Sequence, residues 1–262
     1  MLRSLKDLER YTVSASDGDL GTVRNFLLDD ERWTIRYLVV DPALVHNGKS
    51  VLISPVFFRE VDWATRCFHL AMTRERIAKS PSVDVDKPVS RQHERDYHLY
   101  YGHPYYWGYA GLWGPADYPV LRVPGPEQDP RAKPGDAHLR SAKEVTGYEV
   151  EGTDGSVGRV EDFIVNDETW KIKYLVIDTN HWWFGKKVLV APEWASRISW
   201  AERNVRVGLS RGAVKKSPPW NPEAGVNRVY ESRLYDYYGR PAYWDEGRKE
   251  ATMGPHPGNH FS

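Results

Sequence analysis

Hydrophobic and polar residues alternate along the chain in short stretches, which is typical of half-buried strands. This alternation predicts a strand over residues 21–28, and a β-branched and aromatic run predicts the strongest strand over residues 33–40. Shorter strands are predicted at residues 11–13, 51–53, 60–63 and 67–71. About five or six short strands with frequent turns and little helix predict a small antiparallel β-barrel, whose closure would leave no exposed sheet edge.

The same pattern occurs a second time. Residues 2–107 align with residues 139–244 at a constant offset of 137 positions and without a gap. Roughly 40 of about 106 aligned positions carry the same residue. The strand pattern at residues 33–40, for example, returns at residues 170–177. A repeat of this length indicates a duplicated domain and predicts two barrels related by approximate two-fold symmetry.

Local signals predict how each copy begins. Ser4 with Asp7 forms a capping-box pattern, and Ser141 with Glu144 repeats it, so that each copy is expected to open with one short helical turn. An Asp-Gly pair then follows in both copies and supplies the positive φ of a tight hairpin.

Each predicted barrel is followed by a segment of different character. Thr73 caps a short predicted helix, and a Pro- and Asp-rich connector leads to a second helix over residues 91–101. Gly102 and Gly239 end that second helix in the two copies, and a proline two residues later prevents its continuation. The predicted organisation is repeat 1 over residues 1–107 (barrel 2–80, aromatic helical extension 88–107), a Gly- and Pro-rich linker over 108–137, repeat 2 over 138–246 (barrel 139–217, extension 225–244) and a flexible tail over 247–262.

The barrel segments together carry a family resemblance. In the first copy they are, in order, Gly21-Thr22-Val23, Tyr37-Leu38-Val39-Val40-Asp41, Val51-Leu52-Ile53-Ser54-Pro55, Val61-Asp62-Trp63, and the run from Leu70 to Ile77 with Ser80-Pro81. This succession resembles the PRC-barrel family, the fold of the cytoplasmic domain of the photosynthetic reaction centre H subunit and of the C-terminal domain of a ribosome maturation factor. The resemblance implies a mainly β protein with two small antiparallel PRC-type β-barrels, each followed by a short C-terminal helix.

The extension resembles one found on bacterial PRC-barrel proteins of unassigned function. Its matching residues in the first copy are Val89-Ser90-Arg91, Glu94, Tyr100-Tyr101-Gly102, Pro104 and Tyr106-Trp107. The chain departs from the H subunit in having two barrels and no N-terminal membrane helix. The resemblance therefore implies a fold and suggests an ancestral tie to the light-harvesting apparatus, without implying a reaction-centre subunit.

Composition narrows the classes of partner and the location. Lys plus Arg and Asp plus Glu number 36 each, so no net field attracts nucleic acid or anionic membranes. Cys67 is the only cysteine, which excludes an intramolecular disulfide. No apolar run approaches the ~20 residues of a membrane span, and the N-terminus lacks a signal-peptide core. We expect a cytoplasmic protein, either free or peripheral to the inner membrane.

The residues shared between the copies do not indicate catalysis. Asp17 and Asp154 precede glycine in predicted turns, which favours a turn-forming role. Asp41 and Asp178 end the strongest strand, either as structural residues or as acceptors at the barrel mouth for a cation or a partner's arginine. No histidine of the first copy recurs in the second, a group that comprises His46, His69, His93, His98 and His103. No phosphate-binding loop or nucleophile elbow is present, and we expect no enzyme activity, metal or cofactor.

The aromatic extensions are the best candidate for a partner-binding surface, because large aromatic residues are enriched at interface hot spots. The shared candidates are Tyr100, Tyr101, Tyr106, Trp107, Tyr237, Tyr238, Tyr243 and Trp244. The second copy adds Trp182, Trp183 and Phe184 in a hairpin loop, where the first copy has smaller residues. The alternative interpretation is that each cluster covers a barrel, either its own, that of the other repeat or that of a second chain.

The leading hypothesis is a non-enzymatic interaction or scaffold protein that binds a protein partner or a second copy of itself as a homodimer. One alternative is a photosynthesis-linked, H-subunit-like assembly or accessory protein at the cytoplasmic membrane face. A second alternative is an RNA- or ribosome-associated factor, which the balanced charge disfavours.

Overall fold

The structure is a computed structural model that describes residues 1–42, 50–81, 89–107, 110–121, 137–179 and 185–245. Within these ranges the chain forms two β-sheets and a few short helices. Parts of the predicted linker, the predicted tail and the aromatic loop around Trp183 lie outside the described residues. The mainly β prediction is confirmed.

The first half contains eight strands and three α-helices among its described residues. The strands are β1 (Leu2–Ser4), β2 (Thr12–Ala15), β3 (Gly18–Asp29), β4 (Thr34–Pro42), β5 (Val51–Ile53), β6 (Phe58–Asp62), β7 (Cys67–Leu70) and β8 (Val89–Ser90). The helices are α1 (Leu5–Leu8), α2 (Arg74–Ala78) and α3 (Arg91–Tyr101), and a 3-10 turn spans Pro55–Phe57.

The second half repeats this order. Its strands are β9 (Ala137–Ser141), β10 (Glu149–Gly152), β11 (Gly155–Asn166), β12 (Ile172–Asp178), β13 (Lys187–Val190), β14 (Ala195–Ser199) and β15 (Asn204–Val207). Its helices are α4 (Ala142–Val145), α5 (Arg211–Lys216) and α6 (Arg228–Tyr238), with 3-10 turns at Pro192–Trp194 and Pro222–Ala224.

Helix ends follow the sequence signals. The Ser4 side chain accepts a hydrogen bond from the Asp7 amide, and Ser141 accepts one from Glu144 in the same way, as the capping-box pattern predicts. Gly102 caps α3 with a φ of 64°, which is the left-handed conformation that glycine adopts without strain. These short-range predictions are confirmed because they depend on neighbouring residues alone.

The two sheets share one strand order, β5-β4-β3-β2-β7-β6 in the first half and β13-β12-β11-β10-β15-β14 in the second. The prediction of a purely antiparallel sheet is wrong at one position in each sheet. Strand β2 pairs in parallel with β7, and β10 pairs in parallel with β15. A parallel pair needs a long crossover, and in the first half the four strands β3 to β6 and the 3-10 turn, which lie between β2 and β7, provide it.

The described strands do not close into a hydrogen-bonded barrel, which corrects the second part of the fold prediction. The order ends at β5 on one side and β6 on the other. Between these two strands the chain forms the 3-10 turn that starts at Pro55, a residue that has no N–H to donate to a ladder. A helical turn therefore links the two edges where a closed barrel would have paired strands.

The first strand of each half is exchanged between the halves, a feature that the sequence pattern did not predict. Strand β1 pairs antiparallel with β11 of the second half, with Leu2 opposite Asn166. Strand β9 pairs antiparallel with β3 of the first half, with Leu139 opposite Asp29. Both pairs are related by the same offset of 137 positions, so the exchange is reciprocal.

A second reciprocal contact marks the centre of this arrangement. The Ile35 amide donates to the Trp170 carbonyl at 2.9 Å, and the Ile172 amide donates to the Trp33 carbonyl at 2.7 Å. Between these two bonds Thr34 forms a bridge with Lys171, which is its own counterpart in the repeat. Because Thr34 contacts its own counterpart and the two flanking hydrogen bonds are reciprocal, a local two-fold axis passes through this point.

The symmetry breaks in the side chains beside the axis. Trp170 is 2% exposed, and its ring lies 5.4 Å from that of Phe58 and 6.0 Å from that of Phe68. Its counterpart Trp33 is only partly buried. The positions equivalent to the two phenylalanines are Ala195 and Val205, so Trp33 has no such aromatic neighbours.

This asymmetry predicts that the two equivalent tryptophans contribute differently to stability. We expect Trp170→Ala to lower the free energy of unfolding by about 3–5 kcal/mol, because it leaves a cavity among fixed aromatic rings. Trp33→Ala should cost no more than about half as much. Denaturant unfolding of the two variants measures both values, and equal losses would show that the two tryptophans are packed alike.

Candidate functional site

Helix α3 lies across the sheet of its own half and is held there by a buried tyrosine. Tyr97 donates from its hydroxyl to the Leu52 carbonyl and accepts from the Ser54 amide, both at 3.2 Å. Its ring meets that of Tyr37 edge-on, with centroids 5.0 Å apart. Strand β4 is therefore buried on both faces, which explains why its sequence is almost continuously apolar.

A buried glutamate joins this helix to the sheet and to the extension. Glu94 of α3 accepts a hydrogen bond from the Tyr106 hydroxyl at 2.6 Å and from the Tyr37 hydroxyl at 3.2 Å. Arg91, one turn earlier on the helix, pairs with the second carboxylate oxygen at 3.2 Å. Strand, helix and extension thus meet at one carboxylate that is 1% exposed.

The second half builds the same cluster. Glu231 of α6 accepts from the Tyr174 hydroxyl at 2.7 Å and from the Tyr243 hydroxyl at 2.9 Å. Arg228 pairs with its other oxygen at 3.2 Å. Since a buried carboxylate is costly unless it is hydrogen-bonded, finding the same donors twice indicates that they are required for the helix to dock.

Burial governs the ionisation of the first cluster. It raises the pKa of Glu94 to about 7, and the neighbouring Arg91 opposes this shift. Burial also raises the pKa of Tyr37 and of Tyr106 well above its ordinary value, so both phenols stay protonated and act as donors. His98, whose Nε2 lies 3.2 Å from the Tyr37 hydroxyl, has its pKa lowered by burial to about 3 and is neutral.

Beside the Glu94 cluster lies a buried ion pair. Arg36 is 0% exposed, and its Nη2 lies 2.8 Å from a carboxylate oxygen of Asp29. Its Nη1 donates to the Leu112 carbonyl at 2.6 Å, and its guanidinium carbon lies 3.8 Å above the centre of the Tyr106 ring. The next residue after Leu112, Trp113, donates a hydrogen bond from its indole N–H to the Thr169 carbonyl of the second half at 2.7 Å. Residues 110–121 of the predicted linker therefore lie on the surface of both halves.

The aromatic candidates separate by burial. Three are buried, namely Tyr101, Tyr106 and Trp107, and three are half-buried, namely Tyr238, Tyr243 and Trp244. Two are exposed, namely Tyr100 at 36% and Tyr237 at 40%. The remaining three, Trp182, Trp183 and Phe184, lie outside the described residues. The buried members fasten the first extension to its own sheet, and their half-buried counterparts pack on the sheet of the second half, which leaves the exposed pair available for contacts.

The exposed pair is fixed in place. The Tyr100 hydroxyl donates to the Arg76 carbonyl at 2.7 Å, and the Tyr237 hydroxyl donates to the Ala213 carbonyl at 2.8 Å. Each ring also meets the next tyrosine edge-on, with centroids 4.8 Å apart in the first half and 4.9 Å in the second. A tethered ring loses little side-chain entropy on binding, so both tyrosines are pre-organised on the surface.

The candidate aspartates have local partners. Asp41 accepts from the Ser50 hydroxyl at 2.7 Å and lies 3.6 Å from Arg24, at the exposed end of β4. Asp178 is half-buried at the corresponding end of β12. The turn residue Asp17 also caps the following helix, because it accepts from the Arg74 amide at 2.8 Å. No prediction from the sequence included this capping role.

The central glutamates and the strand tyrosines Tyr37 and Tyr174 were not predicted as site residues, whereas the other two donors, Tyr106 and Tyr243, were predicted as partner-binding candidates or as barrel cover. The available signal was their recurrence, since Glu94, Tyr37 and Tyr106 all have identical counterparts. Recurrence alone does not distinguish a buried carboxylate from a solvated one on a polar helix face. That distinction required the position of the helix on the sheet.

The comparisons with known proteins agree with this fold. Residues 138–209 match the PRC-barrel domain family. The chain therefore contains a PRC-barrel domain, formed by the second half from β9 to β15. No curated protein matches the chain.

No helix in the described ranges combines the length and the apolar character needed to cross a bilayer.

The different burial of the two extensions predicts that their tryptophans, Trp107 and Trp244, contribute differently to stability. Trp107 is 8% exposed and stacks on Tyr105 with centroids 4.5 Å apart, whereas Trp244 is half-buried. We expect Trp107→Ala to lower the free energy of unfolding by about 3–5 kcal/mol and Trp244→Ala to lower it less. Thermal and denaturant melts measure this, and an unchanged melt for Trp107→Ala would contradict a covering role.

Glu94 predicts a pH dependence of stability. Its pKa is raised from 4.5 to about 7 in the folded state. The folded state therefore binds this proton more tightly than the unfolded chain does, and the associated stability is present below about pH 4.5 and is lost as the pH rises to about 7. Between pH 5 and pH 8 the wild type should lose roughly 2–3 kcal/mol that the Glu94→Gln variant does not lose. Denaturant unfolding at both pH values measures the difference.

The control is Glu223→Gln, which removes one exposed carboxylate. It should keep the pH dependence of the wild type. Parallel pH profiles for the wild type and Glu94→Gln would contradict the assignment of the proton to Glu94.

Proposed function

We propose that this chain is a non-enzymatic interaction or scaffold protein made of two PRC-type domains, which presents one fixed tyrosine on each half to a protein partner. The first half supports the two-domain part of this proposal in two ways. It has the same strand order as the matched second half, and it exchanges its first strand with that half reciprocally. Two domains joined in this way form one rigid platform.

The observation that carries the proposal is the repeated pair Tyr100 and Tyr237. Both are more than one third exposed, both are tethered through the hydroxyl to a backbone carbonyl, and both lie on a helix that a buried carboxylate fastens to the sheet. Rigid exposed tyrosines are the residue type that protein interfaces favour.

The surroundings of the two tyrosines differ. Leu99, beside Tyr100, is 59% exposed, and its counterpart is Asp236. On α6 the exposed apolar residue is Val229, which lies two helical turns before Tyr237 on the same face. The shared tyrosines thus support a common mode of contact, and their neighbours support different partners or different segments of one partner.

We expect the double variant Tyr100→Ala, Tyr237→Ala to lose its protein partners while keeping its fold. The measurement is affinity capture from the native host with wild-type and variant baits, with soluble and membrane fractions kept apart. The melting temperatures are compared first, because both residues are exposed and their loss should change stability by no more than about 1 kcal/mol. Proteins recovered by the wild type and lost by an equally stable variant support the proposal.

The matched control is the double phenylalanine variant, which keeps both rings and removes only the hydroxyl tethers. It should recover the same proteins with weaker retention, since the rings are then free to move. Recovery of identical proteins by the wild type and the alanine variant would contradict the proposal. The identity of the proteins also separates the alternatives, because membrane-complex subunits would favour the accessory-protein role and ribosomal proteins would favour the RNA-linked role.

A further inference from the structure

A cavity of about 740 Å³ lies where the two halves and the linker meet. Its walls come from the β3–β4 turn of the first half, from the linker around Leu112, and from the β11–β12 region and extension of the second half. A volume of this size is within the range of small-ligand sites. The cavity therefore has room for a ligand of modest size.

One wall of the cavity is the counterpart of the buried Arg36 site. Lys173 occupies the position of Arg36, and its Nζ lies 3.7 Å from the centre of the Tyr243 ring, just as Arg36 lies over Tyr106. The aromatic partner of the cation is thus kept in the second half. Lys173 and Tyr243 both line the cavity.

The second half does not keep the carboxylate that pairs with the cation in the first half. In the first half Arg36 is neutralised by Asp29, whose counterpart in the second half is Asn166. No carboxylate of the described residues lies within 4 Å of the Lys173 Nζ, and no described residue accepts a hydrogen bond from it. The second half therefore has a half-buried ammonium group at a cavity wall without the carboxylate that its counterpart has.

Asn166 is oriented to contribute a donor. Its Oδ1 accepts from the Glu168 amide at 3.0 Å and from the Thr169 amide at 2.8 Å, which fixes the amide plane. Its Nδ2 has no acceptor among the described residues, and Asn166 also lines the cavity. Where the first half places a carboxylate, the second half thus places an amide N–H and an ammonium group.

We infer that this cavity binds a small monocarboxylic acid, whose carboxylate supplies the negative charge that Asp29 supplies in the first half and accepts hydrogen bonds from Lys173 and Asn166. Trp33, Leu112 and Pro192 supply apolar wall for the rest of such a ligand. A single carboxylate fits better than a phosphate dianion, because Glu193 already pairs with the other cavity lysine, Lys171, at 3.4 Å. This site is separate from the exposed tyrosines of the proposed function.

The electrostatics of Lys173 agree with this assignment. Burial and, to a smaller extent, the adjacent Lys171 together lower its pKa to about 8. The other charged groups that face it are Glu193 on the cavity wall and Glu231 and Arg228 on α6. An ammonium group that is short of counter-charge gains from a bound carboxylate, and it loses that gain when it deprotonates. Binding should therefore weaken as the pH rises above about 8.

Benzoate is the test probe, and neutral benzamide is its matched control. Calorimetric titration of the full chain at pH 7 should show benzoate binding that benzamide and inorganic phosphate do not reproduce. Lys173→Met should weaken benzoate binding by more than about tenfold, since one charge-assisted hydrogen bond is lost. Lys143→Met, an exposed lysine elsewhere, should leave it unchanged.

The decisive variant is Asn166→Asp. It supplies the carboxylate that the first half already has, so it should raise the melting temperature and abolish benzoate binding at the same time. Because this variant is expected to be more stable than the wild type, loss of binding is not explained by unfolding. Benzoate affinity that is the same in Asn166→Asp, Lys173→Met and the wild type would overturn the inference, and so would equal binding of benzamide.

Discussion

The reciprocal exchange of the first strands is the constraint on which the rest of the structure depends. The long strands β3 and β11 extend beyond the short strands β2 and β10 that pair with them, and on that side they leave backbone groups that need a further strand. Each half supplies the strand that pairs with these backbone groups in the other half, since β9 pairs with β3 and β1 pairs with β11. This exchange brings the β3–β4 turn of the first half and the β11–β12 turn of the second half together at Thr34 and Lys171. It therefore determines where the linker and the cavity lie.

The buried carboxylates have a corresponding role within each half. Glu94 and Glu231 each collect donors from a strand, a helix and an extension, so that three segments distant in sequence share one acceptor. Because the carboxylate cannot be left unpaired in the interior, the helix has one position on the sheet. The surface tyrosines are therefore presented at fixed sites, which is the property that an interaction module needs.

Duplication allowed the two halves to differ where the fold did not depend on it. The strand order, the presence of capped helices and the contacts of Glu94 and Glu231 with tyrosines recur in both halves, whereas the cation beside the cluster is neutralised internally in the first half and lacks a carboxylate in the second. The linker covers the first of these sites through the Leu112 carbonyl and forms a wall of the cavity at the other. The same packing position thus holds a structural ion pair in one half and a candidate ligand site in the other.

The sequence by itself determined the features that depend on neighbouring residues or on the repeat. These are most of the strands, the serine and glycine helix caps, and the duplication. Only the tertiary structure decided which strands pair, because an alternating strand such as β2 carries the same pattern whether its neighbour is parallel or antiparallel. The exchange of β1 and β9, the open edges at Pro55, and the burial of Glu94 likewise depend on contacts between residues far apart in the chain. A local pattern does not contain the geometry of such contacts, and the candidate cavity, which lies between two halves and a linker, is the clearest case.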